Sequence, residues 1–166
     1  IDEDIVIDGA VAQAIARIPL PTPDVNPAPD VGSYVNLGLW LAVRPPDPIS
    51  VIATAVAGSQ TFSVTATVEL LTTTFDPGDG APPVACDDHG TPLDPNSPAV
   101  DEVDAGPCGH TYLRSSPDET PFQLAMTSTH VVSWTASDGR TGIAAPVDLT
   151  TVVAYDVDEL QTLGTG

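Results

Sequence analysis

Apolar and polar residues alternate with period two over most of this chain, and the clearest run is Thr61 to Leu70. There Phe62, Val64, Ala66, Val68 and Leu70 interleave with Thr61, Ser63, Thr65, Thr67 and Glu69. Such alternation predicts a strand with one buried and one wet face. Val35, Leu37, Leu39, Leu41 and Val43 form a second series, with Trp40 on the opposite face. Ile49, Val51, Ala53, Ala55 and Ala57 form a third, alternating with Ser50 and Thr54. Phe122, Leu124 and Met126 open a strand that runs on to Val132 and Trp134, and Val147, Leu149, Thr151, Val153 and Tyr155 make the last. Helical spacing occurs once, at Ala10 to Ile18, where Val11, Ile15 and Ile18 share a face and Pro19 stops the helix. Several antiparallel strands separated by Pro/Gly turns predict an all-β sandwich with a short N-terminal helix.

The predicted organisation is linear. Residues 1–32 form an N-terminal arm: Ile5, Val6 and Ile7 as a short strand or coil, then the 10–18 helix, then a connector of five prolines between Pro19 and Asp30 that reads as stiff and extended. Residues 33–157 form the β-sandwich and 158–166 a C-terminal tail. Within the sandwich an acidic, Pro-rich stretch from about Ala81 to Pro121 is too long to lie loose in a compact domain, so something should pin it.

Charge removes several function classes. The sequence has 4 Lys+Arg against 23 Asp+Glu, a formal charge of −19, and all four cations (Arg17, Arg44, Arg114, Arg140) are arginines. With no lysine there is no P-loop lysine, no Schiff base and no lysine isopeptide crosslink. So negative a chain repels phosphates and anionic lipid head groups, which argues against nucleic acid or a membrane surface as partner. No apolar run reaches the ~18 residues of a membrane helix. The chain opens at Ile1 rather than methionine, so a processed or trimmed product is expected. Two cysteines in a lysine-free, Thr/Pro-rich chain fit export better than the cytosol.

Phe75-Asp76-Pro77-Gly78-Asp79-Gly80 suits a type II turn, with proline supplying φ near −65° and Gly78 a positive φ. Asp76 can accept backbone N–H bonds across it, and Gly80 releases the chain. Downstream come Cys108-Gly109-His110-Thr111-Tyr112 and the strand that opens at Phe122. This order resembles the PKD (polycystic-kidney-disease-type) domain, whose W-D-F-G-D-G turn precedes an H-x-Y and an alternating strand. Asp76, Gly78, Asp79, Gly80, His110 and Tyr112 match; Phe75 stands for the tryptophan and Pro77 for an aromatic, so part of the usual core plug must come from elsewhere. The closer likeness is to exported PKD-like proteins of actinobacteria, with the Leu39-Trp40-Leu41 segment, a cysteine soon after the turn, Val132 to Thr135 with Trp134, and Asp148 to Thr151. The resemblance covers about Gly32 to Val157. It implies an immunoglobulin-like sandwich at a cell surface, with His110, Tyr112 and Trp134 as the structural core of the motif. It implies little about chemistry, since such domains serve mostly as spacers and contact modules.

Cys86 and Cys108 bracket the acidic stretch, and in an exported protein they are expected to form a disulfide. The alternative is zinc held by Cys86, His89, Cys108 and His110, although Cys-x-His is too close for an ordinary knuckle. Asp76, Asp79, Asp87, Asp88, Asp94, Asp101, Glu102 and Asp104 raise calcium, but none fits a spaced ligand loop, and turn capping is favoured. No cofactor and no metal are therefore expected. Asp76 and Asp79 as a carboxylate pair for glycoside cleavage are better read as bonded to backbone, and His110 as a buried donor to main chain. No nucleophile elbow or phosphate loop occurs, so no enzymatic activity is expected. Tyr34, Trp40, Trp134 and Tyr155 could stack on a sugar, yet a chain this poor in aromatics needs them in its core.

The expected function is that of a non-enzymatic extracellular structural or protein-contact domain. In its sharper form the chain assembles into a surface filament or layer through Ile5, Val6, Ile7, Val11, Ile15 and Ile18 of the arm, with other copies or cell-surface proteins as partners. The alternative is a monomeric adhesion module that binds a glycan or matrix protein.

Overall fold

A computed structural model describes residues 1–93 and 107–159. Among the described residues one helix, α1 (Glu3–Ala16), precedes ten strands: β1 (Ser33–Tyr34), β2 (Gly38–Trp40), β3 (Ser50–Ala57), β4 (Gln60–Asp76), β5 (Val84–Asp87), β6 (Gly109–Thr111), β7 (Phe122–Ala136), β8 (Thr141–Ile143), β9 (Val147–Tyr155) and β10 (Val157–Asp158). The largest sheet runs β3-β4-β7-β8, with β5 also on β4 and β9 also on β7; β2–β6 and β1–β10 are small separate pairs. The expected all-β class holds, with antiparallel pairing everywhere it is defined except the parallel β1–β10. Among the described residues no helix is long and apolar enough to cross a membrane.

The chain forms two compact units, and they cut across the linear boundaries 1–32, 33–157 and 158–166. One comprises Ile1–Leu20, Pro45–Leu71 and Thr129–Leu149; the other comprises the described parts of Pro21–Arg44, Thr72–Ser128 and Thr150–Gly166. β4 and β7, with 17 and 15 residues, are each about three times a typical strand and give one end to each core.

In the first, helix-capped unit, β3 and β4 form a hairpin closed by Gly58 and Ser59. Gly58, at φ 61°, occupies the place that glycine takes in a type II′ turn. Val51 faces Ala66, Ala53 faces Val64 and Ala55 faces Phe62, so the predicted alternations of both strands meet on one face. α1 covers that face. Its buried positions are Ile7, Ala10 and Ala14, both alanines fully enclosed, against Val51, Phe62, Val64, Ala66, Val132 and Ala136. The helix is longer than expected. Ile5, Val6 and Ile7 are helical, not strand or coil, because the Asp2 side chain accepts from the Ile5 N–H and Glu3 and Asp4 fill the first turn, where carboxylates suit the helix dipole. The buried stripe is also rotated from the expected one: Val11 and Ile15 are half-buried, and Ile18, though buried, lies beyond the helix, which ends at Ala16 and not at residue 18. Small side chains let the helix backbone approach the sheet.

In the second, disulfide unit, a core of Val25, Leu39, Leu41, Val43, Phe75, Tyr112, Phe122, Leu124, Met126, Tyr155 and Val157 surrounds Cys86 and Cys108. The proline-rich connector pairs with neighbouring chain at Pro23 and Asn26 and then turns, Val31 and Gly32 N–H both donating to the Ala28 carbonyl. Asn26 and Trp40 exchange N–H···O bonds of 3.0 and 2.8 Å, and Asp24 N–H donates to the Ala42 carbonyl at 2.9 Å. Leu39 and Leu41 are fully buried while Trp40, on the other face, is half-buried.

Candidate functional site

The Asp76–Gly80 turn leaves the end of β4 just after the buried Phe75 and is fastened along its length. Asp76 Oδ1 accepts the Gly78 N–H at 3.0 Å, and Gly78 stands at φ 79°. A Cβ at Gly78 would lie 2.3 Å from the Gln123 carbonyl oxygen, so glycine is required both for the turn and for its approach to β7. Asp79 uses both carboxylate oxygens: Oδ1 accepts the Ala81 N–H at 3.0 Å, and Oδ2 lies 2.8 Å from His110 Nε2 on β6. Two residues on, Tyr112 Oη donates to the Pro77 carbonyl at 2.9 Å, and Arg114 Nη2 donates to the Asp79 carbonyl at 2.9 Å. Strand alternation sends His110 and Tyr112 to the same side.

The rings behind this turn form a pile. His110 meets Tyr112 edge-on at 4.7 Å, Tyr112 stacks on Phe122 at 5.0 Å and on Tyr155 at 5.8 Å, and the Arg114 guanidinium lies 5.0 Å above Phe122. Tyr155 Oη donates to the Pro27 carbonyl at 2.6 Å, tying the connector to the same pile. Burial pushes the Tyr112 phenol well above its ordinary value, with the Asp79 charge adding to it, and burial does the same to Tyr155. Burial would raise the Asp79 carboxyl, but the Ala81 N–H and His110 outweigh it and hold the group below its ordinary value. What the Asp79 carboxylate adds to stability is therefore complete above the ordinary carboxylate range and is lost as pH falls through its lowered value.

An open cleft of about 380 Å³ lies over the pair, bordered by Asp79, His110, Leu113 and Arg114, and a second of about 240 Å³ lies on the Phe122 side of Arg114. An aspartate and a histidine beside an arginine are groups used for proton transfer. Here they join one segment of chain to another, and among the described residues no hydroxyl or thiol is bonded to His110. His110 thus pairs with a carboxylate, where the sequence suggested a main-chain acceptor.

Cys86 on β5 and Cys108 just before β6 form a disulfide with Cα atoms 5.8 Å apart, both residues buried. The expected staple is present, and the thiolates of the zinc alternative are consumed in it. His89, one of that alternative's ligands, sits instead 3.5 Å from its neighbour Asp88. Among the described residues no group of three or more His, Cys, Asp and Glu is gathered to hold a metal. Asp94, Asp101, Glu102 and Asp104 lie outside the described residues.

The remaining candidates are scattered. Trp134 belongs to the helix-capped unit, not with His110 and Tyr112, and lies half-buried across Gly142, where a Cβ would meet its ring at 2.5 Å. Of the four aromatics expected in the core only Tyr155 is fully enclosed; Tyr34 is 43% exposed. In the arm, Ile5 is exposed and Ile7 buried. The sequence did not disclose Arg114 over Phe122 or the Asp79–His110 pair, although the conjunction of the G-D-G turn with H-x-Y was a signal for the latter. No family model matches this sequence, and no curated protein or solved structure matches it either.

Proposed function

We propose that this chain is an exported, non-enzymatic domain with a PKD-type, immunoglobulin-like sandwich, and that it acts by protein–protein contact at a bacterial cell surface. The observation that carries the reading is the use made of the reactive side chains: Asp79, His110, Tyr112 and Arg114 all bind the Asp76–Gly80 turn or the rings behind it. A buried disulfide that closes the acidic stretch supports an oxidising compartment. The arm enters this reading differently from the sequence expectation, because residues 5–7 cannot add to a neighbour's sheet as a strand while they are helical and Ile7 is buried.

Fractionation of producing cells tests the location: the protein should be recovered outside the cytoplasm with Cys86 and Cys108 joined, and recovery from the cytosol with two free thiols overturns export. His110→Ala should lower the melting temperature. A hydrolytic activity abolished by Asp79→Asn with the fold intact would overturn the non-enzymatic half.

A further inference from the structure

We propose that the free edge of β3 is a self-pairing surface, on which a second copy of this chain adds its own β3 antiparallel across a twofold axis. The inference rests on the contact-domain reading above and names its partner. Among the described residues β3 ends the order β3-β4-β7-β8 and pairs with β4 on one side only. The Val68 N–H donates to the Ile49 carbonyl at 3.2 Å, which makes 49 and 68 a hydrogen-bonded pair. Antiparallel alternation then turns Val51, Ala53 and Ala55 toward β4, and turns the N–H and C=O groups of Ser50, Ile52, Thr54 and Val56 outward.

Long edges of this kind are usually blunted by lysine, proline, a bulge or an inward charge. Within β3 there is no proline, the register is unbroken from Ser50↔Thr67 to Ala57↔Gln60, and no charged residue occurs between Asp47 and Glu69. That is the longest uncharged run in a chain of net charge −19. Although α1 with Glu3, Asp4 and Asp8 packs on β3, the strand itself sets no carboxylate against a second, equally acidic copy, which favours a like partner.

The edge is also self-complementary. With Thr54 opposite Thr54 of the second copy, Ile52 falls opposite Val56 on both sides of the axis. These two side chains are 69% and 68% exposed in the single chain. Pairing covers both while closing the outward backbone groups, and the contact is isologous, so it stops at two copies.

Sedimentation equilibrium on the full chain with its disulfide intact tests this. A concentration-dependent dimer that tightens with added salt is expected, since salt screens the repulsion between two acidic copies. Thr54→Pro removes an N–H that the fold does not use and should weaken the dimer about tenfold or more, two hydrogen bonds being lost per dimer. Ile52→Glu, a change on the open face, should abolish it, with circular dichroism unchanged in both variants. A wild-type monomer at every attainable concentration and salt overturns the proposal and leaves the edge to another protein. A dimer that survives both substitutions overturns it as well. Neither result bears on cellular location or on the lack of turnover, so the contact-domain reading stands or falls separately.

Discussion

Around Ala10 and Ala14 the chain closes its sheet with a helix set close on small side chains; around Tyr112 it closes with stacked rings, backbone-directed hydroxyls and a disulfide. The largest fully buried side chains divide accordingly. Tyr112, Tyr155, Phe75, Leu39, Leu41, Leu124 and Met126 all lie in the disulfide unit, and the helix-capped unit contributes only Val64 and Val132 to that set. A core of small groups depends on close backbone approach, so added volume is what harms it. A core of large rings with satisfied polar ends suffers instead when a group is removed. The two units should therefore fail under opposite substitutions.

The largest effect belongs to the disulfide. Replacing Cys86 and Cys108 together by alanine opens the loop between two positions 22 apart in sequence and should lower stability by about 3 kcal/mol in the chain-entropy account. Chemical denaturation of the double variant measures it. If the units are energetically distinct, protection of the Thr72–Phe75 amides from exchange falls further than that of Val51 and Val64. Equal loss in both would mean that they unfold as one.

That boundary was only partly written in the sequence. Period-two alternation from Thr61 to Leu70 was readable because one face of the strand is wet there, and the β3 and β7 patterns were readable for the same reason. In β4 the buried positions pass from even numbers at 62, 64 and 66 to odd numbers at 73 and 75, across the doublet Leu70-Leu71. A reading by alternation ends at such a point without revealing that a second core begins. The N-terminal half of α1 was missed because Ile5, Val6 and Ile7 are β-branched, and because Ala10 and Ala14 add little to any hydrophobic pattern although they are its most buried positions. The turn around Asp76 and the disulfide follow from local chemistry and were legible. The Asp79–His110 pair joins residues 31 apart, and the pile of Tyr112, Phe122 and Tyr155 gathers three strand regions, so both depend on topology that no local pattern encodes.

Ala14→Leu sharpens the comparison from the other side. The residue is fully enclosed between α1 and the sheet, and added methylenes there should cost about 1–3 kcal/mol through overpacking. The same substitution type at Ala81, beside the open cleft of the disulfide unit, should cost less. Thermal melts of the two variants decide it, and a larger loss at Ala81 would mean that close helix docking is not what limits the first unit.

At neutral pH the third difference vanishes, and it appears only in alkali. All three tyrosines (Tyr34, Tyr112 and Tyr155) lie in the disulfide unit. Burial raises the phenols of Tyr112 and Tyr155 above the ordinary value of 10.0. A group whose folded pKa exceeds its unfolded one contributes fully below the unfolded value and loses that contribution as pH rises toward the folded one, because ionisation then favours the unfolded chain. Stability should therefore hold up to about pH 10 and decline above it, and the decline should begin in the disulfide unit. Each unit holds one tryptophan, Trp40 in the disulfide unit and Trp134 in the helix-capped one. With Trp134→Phe, the fluorescence of Trp40 should change together with phenolate absorbance; with Trp40→Phe, the change at Trp134 should come at higher pH. Coincident transitions would show that the two cores, built from unlike materials, nonetheless open as a single cooperative structure through the strands they share.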